Sequence, residues 1–354
     1  MLIKKSVIEN VYYHMQDDTS KSIFASRLNY SLTGDSSFLD TMVDTTLRSS
    51  AVWIRFLEEL GNVSDKELVI FGAGIWGKIL YKETACKIKW DKVIDNKPEG
   101  KTVDNLPVIS VENFMEAYNE ETVVISSYKN SEGMLQQLLE GGIPKENIIN
   151  AGDVIFELTE KAIYFDLEVI APEKEEFFID AGCFDGLTTR QFLEWSKGNG
   201  YSYCFEPDEA NILRIEKNLA AKEGRYEIIK SAVWSKDCTL SFNAKGNYAS
   251  SVSENSMSGD HVIKAVALDS CLKDKSVTFI KMDIEGAELE ALKGVSEIIA
   301  LQKPKLAISI YHKAEDIWTI PQLILEICPE YRFYLRHYSF GSYDTVLYAV
   351  CNRK

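Results

Sequence analysis

Three carboxylates and two histidines stand where short apolar runs end, and in open α/β sheets that carboxyl edge is where ligands bind. Asp180 closes the run Phe177–Asp180 and leads into a turn carrying Gly182 and Gly186. Glu206 ends Tyr201–Glu206, and Asp283 ends Thr278–Asp283 inside the stretch IKMDIEGAE. His312 follows Lys305–Tyr311, and His337 closes Tyr331–His337. The glycines allow a ligand to approach the main chain. An acceptor-only carboxylate such as Glu206 suits the two hydroxyl donors of a ribose, although it would also favour the N-terminus of the helix that follows. Together Asp180, Glu206 and Asp283 point to a pocket for an adenosyl cofactor.

The histidines suit proton transfer near neutral pH. His312 is the first choice for a general base that takes a proton from an acceptor, with Asp283 second and His337 a further candidate; a buried structural histidine is the competing reading of each. Glu285 and Glu288 lie three apart and would share a helical face, where Glu288 could instead charge the helix N-terminus. Lys281 alternates with Asp283 and would share its face, while Arg336 could orient an anionic acceptor or end a solvated strand. No convincing set of oxygen ligands exists beyond these carboxylates, so no metal is expected.

The elements that must position these residues form two α/β units. Residues 1–64 are expected to form a helical preface, with an amphipathic stretch at Thr45–Leu60. Residues 65–152 read as a small Rossmann-like unit with strands at Leu68–Phe71, Lys92–Ile94 and Thr122–Ser126 and helices from Lys78 and over Glu132–Glu140. Its loop FGAGIWG supplies Gly72, Gly74 and Gly77 for a nucleotide or sugar-nucleotide acceptor, and Asp95 could receive ribose hydroxyls. A connector at 153–176 leads to the second unit at 177–354, whose further strands are Tyr226–Ser231 and Thr345–Val350. Helices are expected in its longer gaps, and the short turn at Gly341 makes the last two strands an antiparallel hairpin.

The chain of 354 residues has room for two cores, and its net charge of −15 disfavours nucleic acid and anionic lipid as partners. Seven scattered cysteines without a CxxC pair read as reduced thiols, and no run is long and apolar enough to span a membrane. A cytoplasmic address is expected, and a homo-oligomer stays open.

Phe178–Gly186, Cys204–Asp208 (CFEPD) with Asn218-Leu219, Ala232-Val233, and above all FIKMDIEGAELEALKG at Phe279–Gly294 resemble the FkbM family of S-adenosylmethionine-dependent methyltransferases. Lys303–His312 and Tyr334–Tyr348 share this likeness, which covers about residues 163–354. The resemblance implies an α/β protein whose C-terminal unit is a seven-stranded class I methyltransferase sheet with an antiparallel last strand. It also implies S-adenosyl-L-methionine as methyl donor and, most often in the family, a hydroxyl as acceptor. Asp180, Gly182, Gly186 and Glu206 carry over as cofactor residues; Asp185 stands where many relatives have a small or apolar residue. The pieces FGAGIWG, VIDNK and LPVI within residues 67–150 resemble the N-terminal domain of sugar-nucleotide acetyltransferases.

The resulting expectation is O-methylation of a sugar, glycan or related small metabolite, as in polysaccharide biosynthesis, with residues 67–150 helping to hold the acceptor. An NAD-dependent sugar-nucleotide oxidoreductase or epimerase using Gly72–Gly77, and a non-catalytic nucleotide-sugar-binding module, are the alternatives.

Overall fold

Residues 4–161, 163–222, 224–243, 251–253 and 261–351 are described by the computed structural model, so residues 352–354 of the expected second unit lie outside the described residues. The chain divides into two units, Thr46–Ile163 and a larger one formed by Met1–Thr45 with Tyr164–Lys354. The preface is helical but belongs to both. Its first three helices, Lys5–His14, Asp18–Thr33 and Ser37–Thr45, fall in the larger unit, while Ala51–Asn62 falls in the smaller.

In the smaller unit Ser50 caps the helix Ala51–Asn62 by accepting from Trp53 N, and the helix buries Trp53, Phe56 and Leu60. Five parallel strands follow: β1 Leu68–Phe71, β2 Lys92–Asp95, β3 Val108–Ser110, β4 Thr122–Ile125 and β5 Ile148–Asn150. They lie in the order β3-β2-β1-β4-β5. β1 and β4 are buried throughout, which explains continuous apolar runs instead of alternation. β3 and β5 have three residues each, too few to carry a periodic signal.

The larger unit holds the expected seven-stranded sheet. Its strands are β6 Glu176–Ala181, β7 Gly200–Phe205, β8 Tyr226–Ile229, β13 Phe279–Met282, β14 Lys305–Ser309, β15 Arg332–His337 and β16 Thr345–Val350. The order is β15-β16-β14-β13-β6-β7-β8, with β16 antiparallel to both neighbours. The order reverses between β6 and β13, which makes their carboxyl ends the switch point where a ligand crevice forms. Parallel register pairs Asp180 with Lys281 and Ala181 with Met282, so both strands finish at the same level.

The gap before β13 departs from expectation. Beside one short helix, Leu268–Cys271, it contains β9 Ala232–Val233, β10 Cys238–Asn243, β11 Ser251–Ser253 and β12 His261–Val266, a second sheet in the order β11-β10-β12-β9. Leu240 and Ala265 from this sheet pack with Ala232, Trp234 and Ala287. A polar, period-two pattern at Cys238–Ser241 is the sequence signal for it.

The N-terminal helices are integral to the larger unit. Val11, Met15, Ile23, Phe24 and Met42 share one core with β6, β13, β14 and β16. Met15 pairs with Phe333, and Ser20 Oγ accepts from Leu335 N at 2.8 Å. This covers the exposed edge of β15, an edge that would otherwise offer unpaired main-chain groups.

Candidate active site

The turn after β6 is fixed by three interactions that require its sequence. Gly182 has φ +76°, and a Cβ there would lie 2.0 Å from the carbonyl oxygen of Asp283, so only glycine lets the two switch-point loops touch. Gly186, at φ +81°, starts the helix Leu187–Trp195. Between them Phe184 sits at φ +55° and donates its N–H to Glu206 Oε2 at 3.0 Å. Asn218 Nδ2 donates to the Asp185 carbonyl at 2.8 Å, and the Asp185 side chain accepts from Leu187 N, so aspartate fits this position as a local turn cap.

Glu206 follows β7 and is buried. Besides Phe184 N it accepts from Asp208 N at 3.0 Å and Asn211 Nδ2 at 3.3 Å, so it does serve the N-terminus of the helix Glu209–Leu219. Burial pushes its carboxyl above the ordinary value, against those donors. Two oxygens with three donors leave acceptor capacity for a ribose.

Asp180 departs from its expected ligand contact. It is fully buried beneath the turn, with Oδ1 accepting from Lys281 Nζ at 3.1 Å and Oδ2 from Thr189 Oγ1 at 2.8 Å. Lys281 also donates to the carbonyls of Gly182 at 2.8 Å and Ala181 at 3.3 Å. Burial lowers the lysine's pKa, but the Asp180 and Asp283 charges outweigh this and raise it overall. Asp180 therefore acts on the turn through Lys281. Cys183 and Cys204 are buried beside Thr189, as space-filling thiols would be.

The loop after β13 gathers the acidic candidates. Asp283 accepts from Tyr164 Oη at 3.0 Å and Tyr311 Oη at 3.2 Å. Glu285 and Gly286 both have positive φ, +55° and +91°. Glu288 opens the helix Glu288–Lys293 and accepts from Ile284 N at 2.9 Å, the helix-terminal part allowed for it. His312 lies among all three acids: Nδ1 is 3.0 Å from Glu288 Oε1, while Nε2 is 3.4 Å from Glu285 Oε2 and 3.6 Å from Asp283 Oδ1. Burial alone would lower its pKa, yet Glu285 and Glu288 push it up to about 10. A pKa raised this far favours the protonated ring near neutral pH, at odds with the role expected of it as a proton acceptor.

His337 and Arg336 lie apart from this cluster in their contacts. His337 is buried, with Nδ1 3.0 Å from Thr345 Oγ1, and burial takes its pKa down to about 3. It is the neutral structural histidine that was the competing reading. Arg336 is engaged by Asp17 at 2.8 Å, by Ser20 and by the Leu335 carbonyl, so it fastens the N-terminal helices and not an acceptor. Arg27, unremarked in the sequence, donates to the carbonyls of Ser342 and Tyr311. Tyr164 and Tyr311 were missed as partners of Asp283. Tyr311 precedes His312 within Lys303–His312, whereas Tyr164 lies in the connector with no local signal.

In the smaller unit Gly72 and Gly77 close on each other: a Cβ on Gly77 would lie 1.8 Å from the Gly72 carbonyl oxygen. Gly74 precedes the helix Ile75–Thr84 and has open space around it. Asp95 accepts from Ala73 N and Lys97 N, both at 2.8 Å, and from Lys101 Nζ at 2.6 Å. Its carboxyl is held below the ordinary value, because these donors outweigh the cost of burial. One of its three donors is thus a cation from within the loop, which balances the carboxylate's charge there.

A seven-stranded sheet with one antiparallel strand, glycine turn and acidic strand end together define a methyltransferase-type α/β fold. Residues 180–340 match the family model described as Methyltransferase FkbM domain. The sequence is similar to the hexuronic acid methyltransferase AglP of Haloferax volcanii, with 27% identity over 157 residues, covering 44% of this chain and 63% of that protein. The match thus spans less than two thirds of that relative. A solved methyltransferase FkbM from Methylobacillus flagellatus is 21% identical, with 90% of this chain and 100% of that chain covered at a TM-score of 0.49. Aeropyrum pernix fibrillarin, solved with natively bound S-adenosyl-L-methionine, is 9% identical, with 54% and 71% covered at a TM-score of 0.35.

Proposed function

We propose that this protein is an S-adenosylmethionine-dependent methyltransferase that methylates a hydroxyl of a sugar, glycan or related small metabolite. The observation that carries the reading is the contact between the two switch-point loops at Gly182 and Asp283. It sets the glycine turn and Glu206 beside the acidic cluster. The turn would approach the amino-acid part of the donor and Glu206 its ribose hydroxyls. S-adenosylmethionine supplies an activated methyl group, and alignment of the acceptor oxygen at near-attack distance does most of the remaining work.

Asp283 is the proton acceptor best suited to the acceptor hydroxyl, since His312 is held as a cation by its neighbours. Tyr164 and Tyr311 fix the Asp283 carboxylate from both oxygens. The sugar class is supported by the similarity to a protein described as a hexuronic acid methyltransferase. Residues 65–152 would assist in holding the acceptor, the part their loose likeness to a sugar-nucleotide domain suggests. A cytoplasmic site of action completes this reading; no described helix is long and apolar enough to cross a membrane.

The test uses the full chain with methyl-deuterated S-adenosylmethionine and a panel of uronic acids, sugar nucleotides and glycans, read by mass spectrometry. A labelled methyl ether is the expected product. Tight S-adenosylhomocysteine binding without transfer to any hydroxyl would overturn the acceptor class. Affinity for NAD(H) alone would overturn the donor and favour an oxidoreductase. Glu206→Ala should weaken S-adenosylhomocysteine binding by roughly tenfold or more, the scale of one lost charge-assisted hydrogen bond.

A further inference from the structure

The acidic cluster holds more carboxylates than a single proton acceptor needs. We propose that Asp283, Glu288 and His312 form a binding site for a hard divalent cation, Mn2+ or Mg2+. One donor atom from each of these side chains lies within 4.8 Å of the others. Ligands on opposite sides of Mg2+ stand about 4.2 Å apart, given bonds of 2.0–2.1 Å. Small side-chain adjustments therefore close the shell.

A second observation points to a ligand. The Glu288 side chain is 1% exposed and that of His312 10%. Both ring nitrogens of His312 and Oε2 of Glu288 lack an aligned hydrogen-bond partner, despite the 3.0 Å approach of Nδ1 to Glu288 Oε1. Buried polar atoms of this kind call for a partner, and a cation supplies one for nitrogen and carboxylate alike. Three carboxylates converging on one imidazole also leave negative charge to be compensated.

The donor set narrows the metal. Two carboxylates suit Mn2+ and Mg2+, while the single imidazole would also accept Zn2+. Nδ1 faces Glu288 and Nε2 faces Glu285, so whichever nitrogen bonds the metal, the other has a carboxylate to receive its proton. The ring binds as neutral imidazole, and its extra proton leaves to solvent. Asp283 and Glu285 are 25% and 35% exposed, which leaves an open side for water or an acceptor oxygen. Resting on the methyltransferase reading, the cation would lower the pKa of an acceptor hydroxyl bound there.

Metal-stripped full-length protein titrated with MnCl2, by calorimetry and by loss of the free Mn2+ resonance signal, tests the site. One saturable site per chain is expected, displaced by Mg2+ and weakened roughly tenfold or more by Glu288→Gln and His312→Ala. S-adenosylhomocysteine affinity checks that each variant is folded; where a variant loses it, Asp283→Asn carries the comparison. No saturable Mn2+ binding to the unmodified protein, or equal binding by the folded variants, overturns the site. Mn2+ binding without methyl transfer to any acceptor supports the site and counts against the catalytic reading. Methyl transfer without Mn2+ binding does the reverse.

Discussion

Replacing Lys281 by methionine should destabilise the larger unit and loosen its glycine turn at once. The side chains of Lys281 and Asp180 are 4% and 0% exposed, so water cannot take the place of the lost ammonium. Asp180 would keep only Thr189 as donor, the Gly182 carbonyl would lose its lysine donor, and the Ala181 carbonyl would keep Asp283 N. Breaking a buried pair by removing one partner costs about 3–5 kcal/mol, because the remaining charge is uncompensated. The double variant Asp180→Asn with Lys281→Met removes that charge, leaving the unpaired Gly182 carbonyl at about 1 kcal/mol. The double variant is therefore expected to be about 2–4 kcal/mol more stable than Lys281→Met alone. Urea unfolding followed by circular dichroism measures these differences. S-adenosylhomocysteine titration should separately show about tenfold weaker binding in both Lys281 variants, a change of 1.4 kcal/mol. Lys281→Met costing under about 1 kcal/mol, or strictly additive substitutions, would refute the buried pair as the support of the turn.

Two further substitutions probe backbone and burial. Gly182→Ala forces a Cβ to within 2.0 Å of the Asp283 carbonyl oxygen at φ +76°, so a lowered melting temperature and loss of S-adenosylhomocysteine binding are expected; unchanged values in thermal-shift and calorimetric measurements would mean that the loops do not touch. His337, with its pKa near 3 in the folded chain and 6.5 in the reference state, takes up a proton on unfolding anywhere between those values. Its contribution to stability is complete above pH 6.5 and falls by up to about 1.4 kcal/mol per unit as the pH drops below it. Urea midpoints at pH 6.5 and 5 should converge for His337→Gln relative to the parent, and parallel pH profiles would contradict a buried neutral ring.

The legible parts of this chain were those encoded over short distances. Leu68–Phe71 and Thr345–Val350 were readable because apolar runs bounded by turn residues specify buried strands locally. Gly182, Gly186 and Glu206 were readable because a tight turn and a strand-end carboxylate leave residue-type signatures. The N-terminal helices gave no such sign of their attachment, since Arg27 and Arg336 find partners more than 280 residues away in sequence. Asp283 was recognised, but its tyrosines arrive from positions 28 and 119 residues distant. His312 follows the strand Lys305–Ser309 as expected, while the acids around it, which raise its pKa, were not foreseen. Strand position specifies where a histidine stands, whereas its charge depends on three carboxylates brought together by the loop after β13.

The two glycine loops show why similar motifs lead to different chemistry. Each follows the first strand of its sheet, and each is tied down by a carboxylate from the next strand: Asp95 accepts from Ala73 N, and Glu206 from Phe184 N. The difference lies in what balances the carboxylate. Lys101 pairs with Asp95 and helps hold its pKa down, so its charge is balanced within the loop. Glu206 has no ion-pair partner among the described residues, and burial pushes its pKa up. A buried carboxylate without a cation gains most from additional hydrogen-bond donors, and vicinal hydroxyls supply two. The physical distinction between a closing loop and a binding loop therefore lies in the single lysine that Asp95 has and Glu206 lacks. Introducing a lysine beside Glu206, by Asn211→Lys, would place a cation where Asn211 Nδ2 now approaches at 3.3 Å. The larger unit should then bind S-adenosylhomocysteine more weakly without losing its fold.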